Sequence, residues 1–197
     1  MKIFIFVILG LLTSLLFPPF FIFPLGFLIF PYLCYFIDKN LKKTNKKNIS
    51  IYIFVYALSF FGVLLFWIQN PFLVFDETKN FSFIFILPIL FFSIIFTLIF
   101  VIILFYNKYL PTLFTIPIIF LVIELVISNL FYGFPWITFS LIVSNNDFFL
   151  YSIKNFGTLI TSFIIIQLYC IPYILFSNKV NNKKYFYLSL INIIPLL

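Results

Sequence analysis

Glu124 is the one acid inside an apolar run of this chain, and nine residues later the sequence reads Gly133-Phe134-Pro135-Trp136. A carboxylate set in hydrocarbon costs about 2.5 kcal/mol or more, so such a residue marks a site by default. Two readings are open for it: a hydrogen-bond acceptor for irregular backbone nearby, or a functional group facing a substrate or ion. The tetrapeptide has its own local mechanism. Gly133 permits positive φ, Phe134 is pushed extended by the proline behind it, and Pro135 ends helical hydrogen bonding. Trp136 is then delivered where amphipathic rings settle, at a membrane–water boundary. An interfacial turn and a binding loop would both use these residues.

Other chemistry is excluded by residue type. The chain has no histidine, which removes Ser-His-Asp catalysis, histidine-assisted cysteine catalysis and most zinc sites. It has no glycine-rich phosphate loop. Cys34 and Cys170 fall in expected helices with no base close in sequence, the pattern of buried, inert thiols. No catalytic residue, metal ligand set or cofactor is therefore assigned.

The elements that must hold Glu124 and the tetrapeptide follow from composition. Of 197 residues, 64% are hydrophobic, 24% aromatic and only 9% charged. Soluble domains carry about 25% charged residues, so these residues cannot build a water-facing surface. Runs such as FIFILPILFFSIIFTLIFVIILFY do not alternate, which favours membrane-spanning helices over a barrel. The net charge of +7 comes from lysines in short clusters between apolar runs. Such clusters are topology signals, not a nucleic-acid surface.

The expected fold class is an all-α integral membrane protein with about seven transmembrane segments. The first two, about residues 3–17 and 20–37, form a short pair broken by Pro18-Pro19. A polar stretch, DKNLKKTNKKN, separates them from a third segment, 51–68. After the loop QNPFLVFDETKN comes a fourth, 81–106, long enough to tilt or bend near Pro88. The fifth covers 111–130 and the sixth 156–176. A seventh run, from Tyr185 to Leu197, has thirteen residues and rises only about 20 Å, so it is incomplete as a span. The opening run lacks a small-residue cleavage site and reads as an uncleaved helix.

Lysine placement orients the segments. With the N-terminus in the cytoplasm, ten lysines fall inside and only Lys79 and Lys154 outside, as the positive-inside rule requires. The Gly133–Trp136 loop then faces outward, towards a periplasm if the cell has one.

Three stretches together resemble the membrane domain of the apolipoprotein N-acyltransferase family. Phe17-Pro18-Pro19-Phe20, with Pro24-Leu25, is similar to that family's FPPFGxWPL element, although Phe21 and Phe23 stand where glycine and tryptophan are common. Gly62 with Phe66-Trp67-Ile68 is similar to its G…YWI pattern. Glu124 with Gly133-Phe134-Pro135-Trp136 matches its E…GFPW signature in residues and spacing. Ile127 stands where the family commonly has arginine, so a Glu-Arg pair cannot form there.

The resemblance implies that residues 1–197 are the membrane half of an enzyme that transfers an acyl chain from phospholipid to the N-terminal diacylglyceryl-cysteine of lipoproteins. Glu124, Gly133, Phe134, Pro135 and Trp136 would be the substrate-binding residues, with Glu124 bracing the loop. Phospholipid and lipoprotein substrates would approach at the outer leaflet. The family's nitrilase-like catalytic domain, with its Glu-Lys-Cys triad, has no positions here to map onto. The expectation is a truncated or split chain, inactive alone, with a possible separate catalytic chain as partner. Two other readings compete: a non-catalytic lipid- or partner-binding membrane protein, and a small transporter using Glu124. The internal repeats and multiple intramembrane polar groups common in transporters are absent.

Overall fold

Apolar runs punctuated by proline, asparagine and lysine fold into a bundle whose helices alternate in direction along the chain. The computed structural model describes residues 2–40, 45–107, 110–130 and 137–176. Every regular element among them is helical: α1 (Lys2–Ser14), α2 (Gly26–Asn40), α3 (Lys46–Leu64), α4 (Ile86–Tyr106), α5 (Thr112–Asn129), α6 (Asp147–Cys170) and a single turn, α7 (Tyr173–Phe176). Packing closes a ring in which α1 lies on α3, α3 on α4, α4 on α5, α5 on α6, and α6 on α2. The ring is completed by α2, which also meets α1 and α5.

Four stretches are long and apolar enough to cross a membrane: Lys46–Leu73, Lys79–Tyr106, Thr112–Asn129 and Phe149–Cys170. The expected count of seven is thus not matched among the described residues. With 13 and 15 residues, α1 and α2 rise only about 20 and 22 Å, short of a hydrocarbon core of roughly 30 Å. The seventh run, Tyr185–Leu197, lies outside the described residues.

Boundaries differ from the sequence expectation where turns tighten. Two 3₁₀ helices, Phe66–Leu73 and Lys79–Phe85, carry the third and fourth segments into both ends of the expected loop, taking in residues 69–73 and 79–80 of it, and the expected helical residues 66–68 and 81–85 are 3₁₀ instead of α. The two 3₁₀ pieces pack on each other. Pro88 sits in the first turn of α4, where its missing N–H costs nothing, so the change of geometry falls at Phe85–Ile86 instead. The sixth helix begins at Asp147, nine residues before the expected start. It is broken at Gly157, whose φ of 80° and ψ of 169° suit a residue without Cβ.

Lipid tails are as apolar as leucine, so helix association here depends on close packing more than on removing surface from water. Gly10 shows how: an added Cβ would lie 2.0 Å from Ser59 Oγ and 2.3 Å from the Tyr56 carbonyl oxygen. That contact lets α1 press directly on α3, while Thr13 Oγ1 and Tyr56 Oη meet at 2.9 Å beside it. The centre is filled with rings. Phe120 touches Phe30, Phe96, Phe100 and Phe139 at centroid distances of 5.2, 5.6, 6.3 and 5.1 Å.

The polar groups divide between the two ends. Lys2 Nζ donates to Asn40 Oδ1 at 3.1 Å, and Lys46 Nζ lies 5.0 Å from the centre of the Phe105 ring. One end of the bundle therefore gathers the start of α1, the end of α2, the start of α3 and the end of α4. Lys79, paired with Asp76, belongs to the opposite end.

Candidate functional site at the Phe139 turn

Glu124 lies in the second half of α5 and is 1% exposed. Both of its oxygens are engaged. The Phe139 N–H donates to Oε2 at 3.0 Å, and the Ser162 hydroxyl of α6 donates to Oε1 at 3.1 Å. Ser162 Oγ in turn accepts from the Ser140 N–H at 2.8 Å. A short chain of hydrogen bonds thus ties α5, the turn at Phe139–Ser140 and α6 together. A 3₁₀ helix, Phe139–Val143, starts at that turn, and its first N–H groups have no carbonyl partners within the helix. Glu124 and Ser162 supply acceptors for two of them.

The Phe139 ring enters the centre of the bundle. It lies 5.3 Å from Phe17, 6.2 Å from Phe60 and 5.1 Å from Phe120, centre to centre. Phe17 opens the Phe17–Phe20 element, Phe60 precedes Gly62 by two residues, and Phe120 is one turn before Glu124. Three stretches far apart in sequence therefore converge on one side chain. Sequence reasoning missed Phe139 and Ser162. Phe139 is one phenylalanine among 34, and nothing in its type sets it apart. The only available signal was position, three residues after Trp136.

Gly133, Phe134, Pro135 and Trp136 lie outside the described residues; the chain is described again from Ile137, which is buried. Ile127, at the place of the family arginine, is fully buried among apolar neighbours. Cys34 and Cys170 are both buried free thiols. Among the described residues no group of three histidine, cysteine or acidic side chains could hold a metal ion.

A second acid, Asp38, opens the polar sequence DKNLKKTNKKN. Asp38 is helical and half-buried, in the last turns of α2. Its carboxylate accepts hydrogen bonds from the Thr112 hydroxyl at the start of α5 and from the Tyr173 hydroxyl in α7. Glu124 is thus not the only acid held within the helices.

This arrangement defines a multi-pass helical membrane protein whose apolar helices are joined by polar clasps. A family model, apolipoprotein N-acyltransferase N-terminal domain, matches residues 9–171. The chain belongs to that family. No curated protein matches it.

Proposed function

We propose that the chain is the membrane half of an apolipoprotein N-acyltransferase, binding lipid and lipoprotein for acyl transfer from phospholipid to the diacylglyceryl-cysteine N-terminus. The observation that carries the reading is the clasp at Phe139: a buried carboxylate holds backbone just after the Gly133–Trp136 tetrapeptide. In this reading Glu124 braces the loop, and Gly133, Phe134, Pro135 and Trp136 contact lipid or lipopeptide. The role of the chain is binding and positioning. Its two thiols are buried without a histidine to activate them, so acyl transfer takes its nucleophile from elsewhere. The lysine-rich end faces the cytoplasm of a bacterial cell and the Phe139 end faces the periplasm, by the charge asymmetry of the loops.

Trp136→Ala tests the loop. Purified protein in bilayers is irradiated with a photoreactive diacylated lipopeptide, and labelled peptides are mapped. The reading expects label on the peptide around Trp136, with a several-fold decrease in the variant and an unchanged melting temperature. Equal labelling of variant and parent would overturn the assignment of Trp136 to substrate binding.

A further inference from the structure

Two of the three motif stretches take no part in the hydrogen bonds around Glu124. Phe17-Pro18-Pro19-Phe20 lies in the turn between α1 and α2. Gly62 with Phe66-Trp67-Ile68 lies at the end of α3 and in the 3₁₀ helix beyond it. Both stretches nevertheless reach one side chain. Phe17, and Phe60 two residues before Gly62, close a triangle of rings with Phe139. Its sides are 5.6 Å from Phe17 to Phe60, 5.3 Å from Phe17 to Phe139 and 6.2 Å from Phe60 to Phe139. All three rings are fully buried.

The corners of this triangle are not held alike. Phe17 is fixed by its turn: its N–H donates to the Ser14 carbonyl, and its own carbonyl accepts from the N–H groups of Phe20 and Phe21. The same turn leaves Pro18, Pro19 and Phe20 exposed. Phe60 is fixed inside α3. Phe139 has neither support. Thr138 before it is extended, with φ of −107° and ψ of 118°, and a 3₁₀ helix of five residues starts at Phe139 itself. What places Phe139 is its N–H on Glu124 and its ring.

The ring contacts are directional. Phe139 lies over Phe60 with 20° between the planes, and meets Phe17 and Phe120 edge to face at 71° and 86°. Aromatic pairs prefer such offset and edge geometries. A ring stacked on one neighbour and crossed by two others loses a contact if it slides or turns. Leucine is as apolar and fills much of the space, but it has no plane to be held by. Because Cβ joins the ring to the backbone, the same seat fixes the N–H that Glu124 accepts at 3.0 Å. Trp136 stands three residues before it.

We propose that Phe139 is the positioning residue of the Gly133–Trp136 stretch: its ring, seated between Phe17 and Phe60, fixes the backbone that follows Trp136. The Phe17–Phe20 turn and the end of α3 then act on that stretch through one ring, which gives both motif stretches a task. That the Gly133–Trp136 stretch binds lipid or lipopeptide rests on the function proposed above; its placement by Phe139 does not.

Trp136 itself reports the outcome. Trp67→Phe leaves it the one tryptophan in the chain, and the whole chain carrying this change is reconstituted in phosphatidylethanolamine–phosphatidylglycerol vesicles. Quenching by phospholipids brominated at different chain depths then reads the depth of the Trp136 indole. In this background Phe139→Leu should shift that depth. Phe17→Leu and Phe60→Leu should shift it in the same direction by less. Phe17→Leu added to Phe139→Leu should shift it no further, since both act through one contact. Phe6→Leu is the control. Phe6 is equally buried and packs on Phe36 and Tyr52, so its loss should lower the melting temperature to a similar extent while leaving Trp136 in place. If Phe139→Leu fails to fold, Phe17→Leu and Phe60→Leu carry the comparison. An unchanged Trp136 depth in the folded variants would make Phe139 a packing residue only and overturn the proposal. An equal shift in Phe6→Leu, or a further shift in the double variant, would overturn it as well. No lipopeptide enters the measurement. Failure here therefore leaves lipopeptide binding at Trp136 to its own labelling test, and failure there leaves the positioning by Phe139 standing.

Discussion

Two carboxylates clasp this bundle, one near each end, and they do different work. Near the Phe139 turn, Glu124 accepts from a backbone N–H and from a serine on the next helix. Near the lysine-rich end, Asp38 accepts from the hydroxyls of Thr112 and Tyr173. Glu124 pins irregular backbone, which has no other way to satisfy its donors away from water. Asp38 ties helix ends together through side-chain hydroxyls and takes no backbone N–H in these contacts. Because α5 takes part in both clasps, through Thr112 at its start and Glu124 twelve residues later, it forms the strut between them, about 18 Å long. The contrast implies unequal energetic weight: losing the backbone clasp strands a buried N–H, whereas losing the hydroxyl clasp leaves groups that water or lipid headgroups can reach.

The largest effect is therefore expected at Glu124. Glu124→Leu removes both acceptors and leaves the Phe139 N–H and the Ser162 hydroxyl without partners. The cost should be about 3 kcal/mol, or roughly 10 °C in melting temperature for a chain of this size, measured by thermal unfolding in detergent. Glu124→Gln keeps one acceptor oxygen and should recover a good part of that loss. If leucine and glutamine cost the same, the hydrogen bonds at Phe139 and Ser162 do not hold the turn.

A smaller effect is expected at Asp38. Asp38→Asn keeps the shape and one acceptor at a half-buried position, and should cost about 1 kcal/mol. Tyr173→Phe should cost about as much. The double variant should lose less than the two single losses combined, since both remove one hydrogen bond. Simple additivity would show that the two side chains do not interact. A loss at Asp38 equal to that at Glu124 would abolish the distinction between the two clasps.

The unequal legibility of the clasps has the same physical origin. Glu124 stands out because its neighbours on both sides are apolar, so a costly residue is visible as one. Asp38 is followed at once by Lys39 and Asn40 and reads as part of a solvated stretch, although α2 continues through all three. Phe139 and Ser162 could not be found: phenylalanine is everywhere in this chain, and serine is tolerated throughout apolar helices because it can bond back to its own backbone, as Ser93 does to Ile89. The apolar runs announced the bundle and its alternating direction. Apolar pattern alone could not say that Phe66–Leu73 and Lys79–Phe85 tighten to 3₁₀ helix, since runs of eight and seven residues broken by polar positions are too short to separate a period of 3.0 from one of 3.6.

The finest test compares two serines of the same knot. Ser162 both donates to Glu124 and accepts from the Ser140 N–H. Ser162→Ala takes the donor from Glu124 Oε1 and the acceptor from a buried N–H, and should cost about 1–2 kcal/mol. The Ser140 hydroxyl is buried and has no hydrogen-bond partner among the described residues; only its backbone joins the knot. Replacing an unsatisfied buried hydroxyl by a methyl group removes a desolvation penalty without breaking a contact, so Ser140→Ala should be neutral within about 0.5 kcal/mol or slightly stabilising. The two substitutions are chemically identical and act on groups joined by one hydrogen bond. Unequal losses would therefore isolate the side-chain link from Glu124 to α6. Equal losses would mean that the turn is held by the Phe139 ring and not by the hydrogen bonds around it.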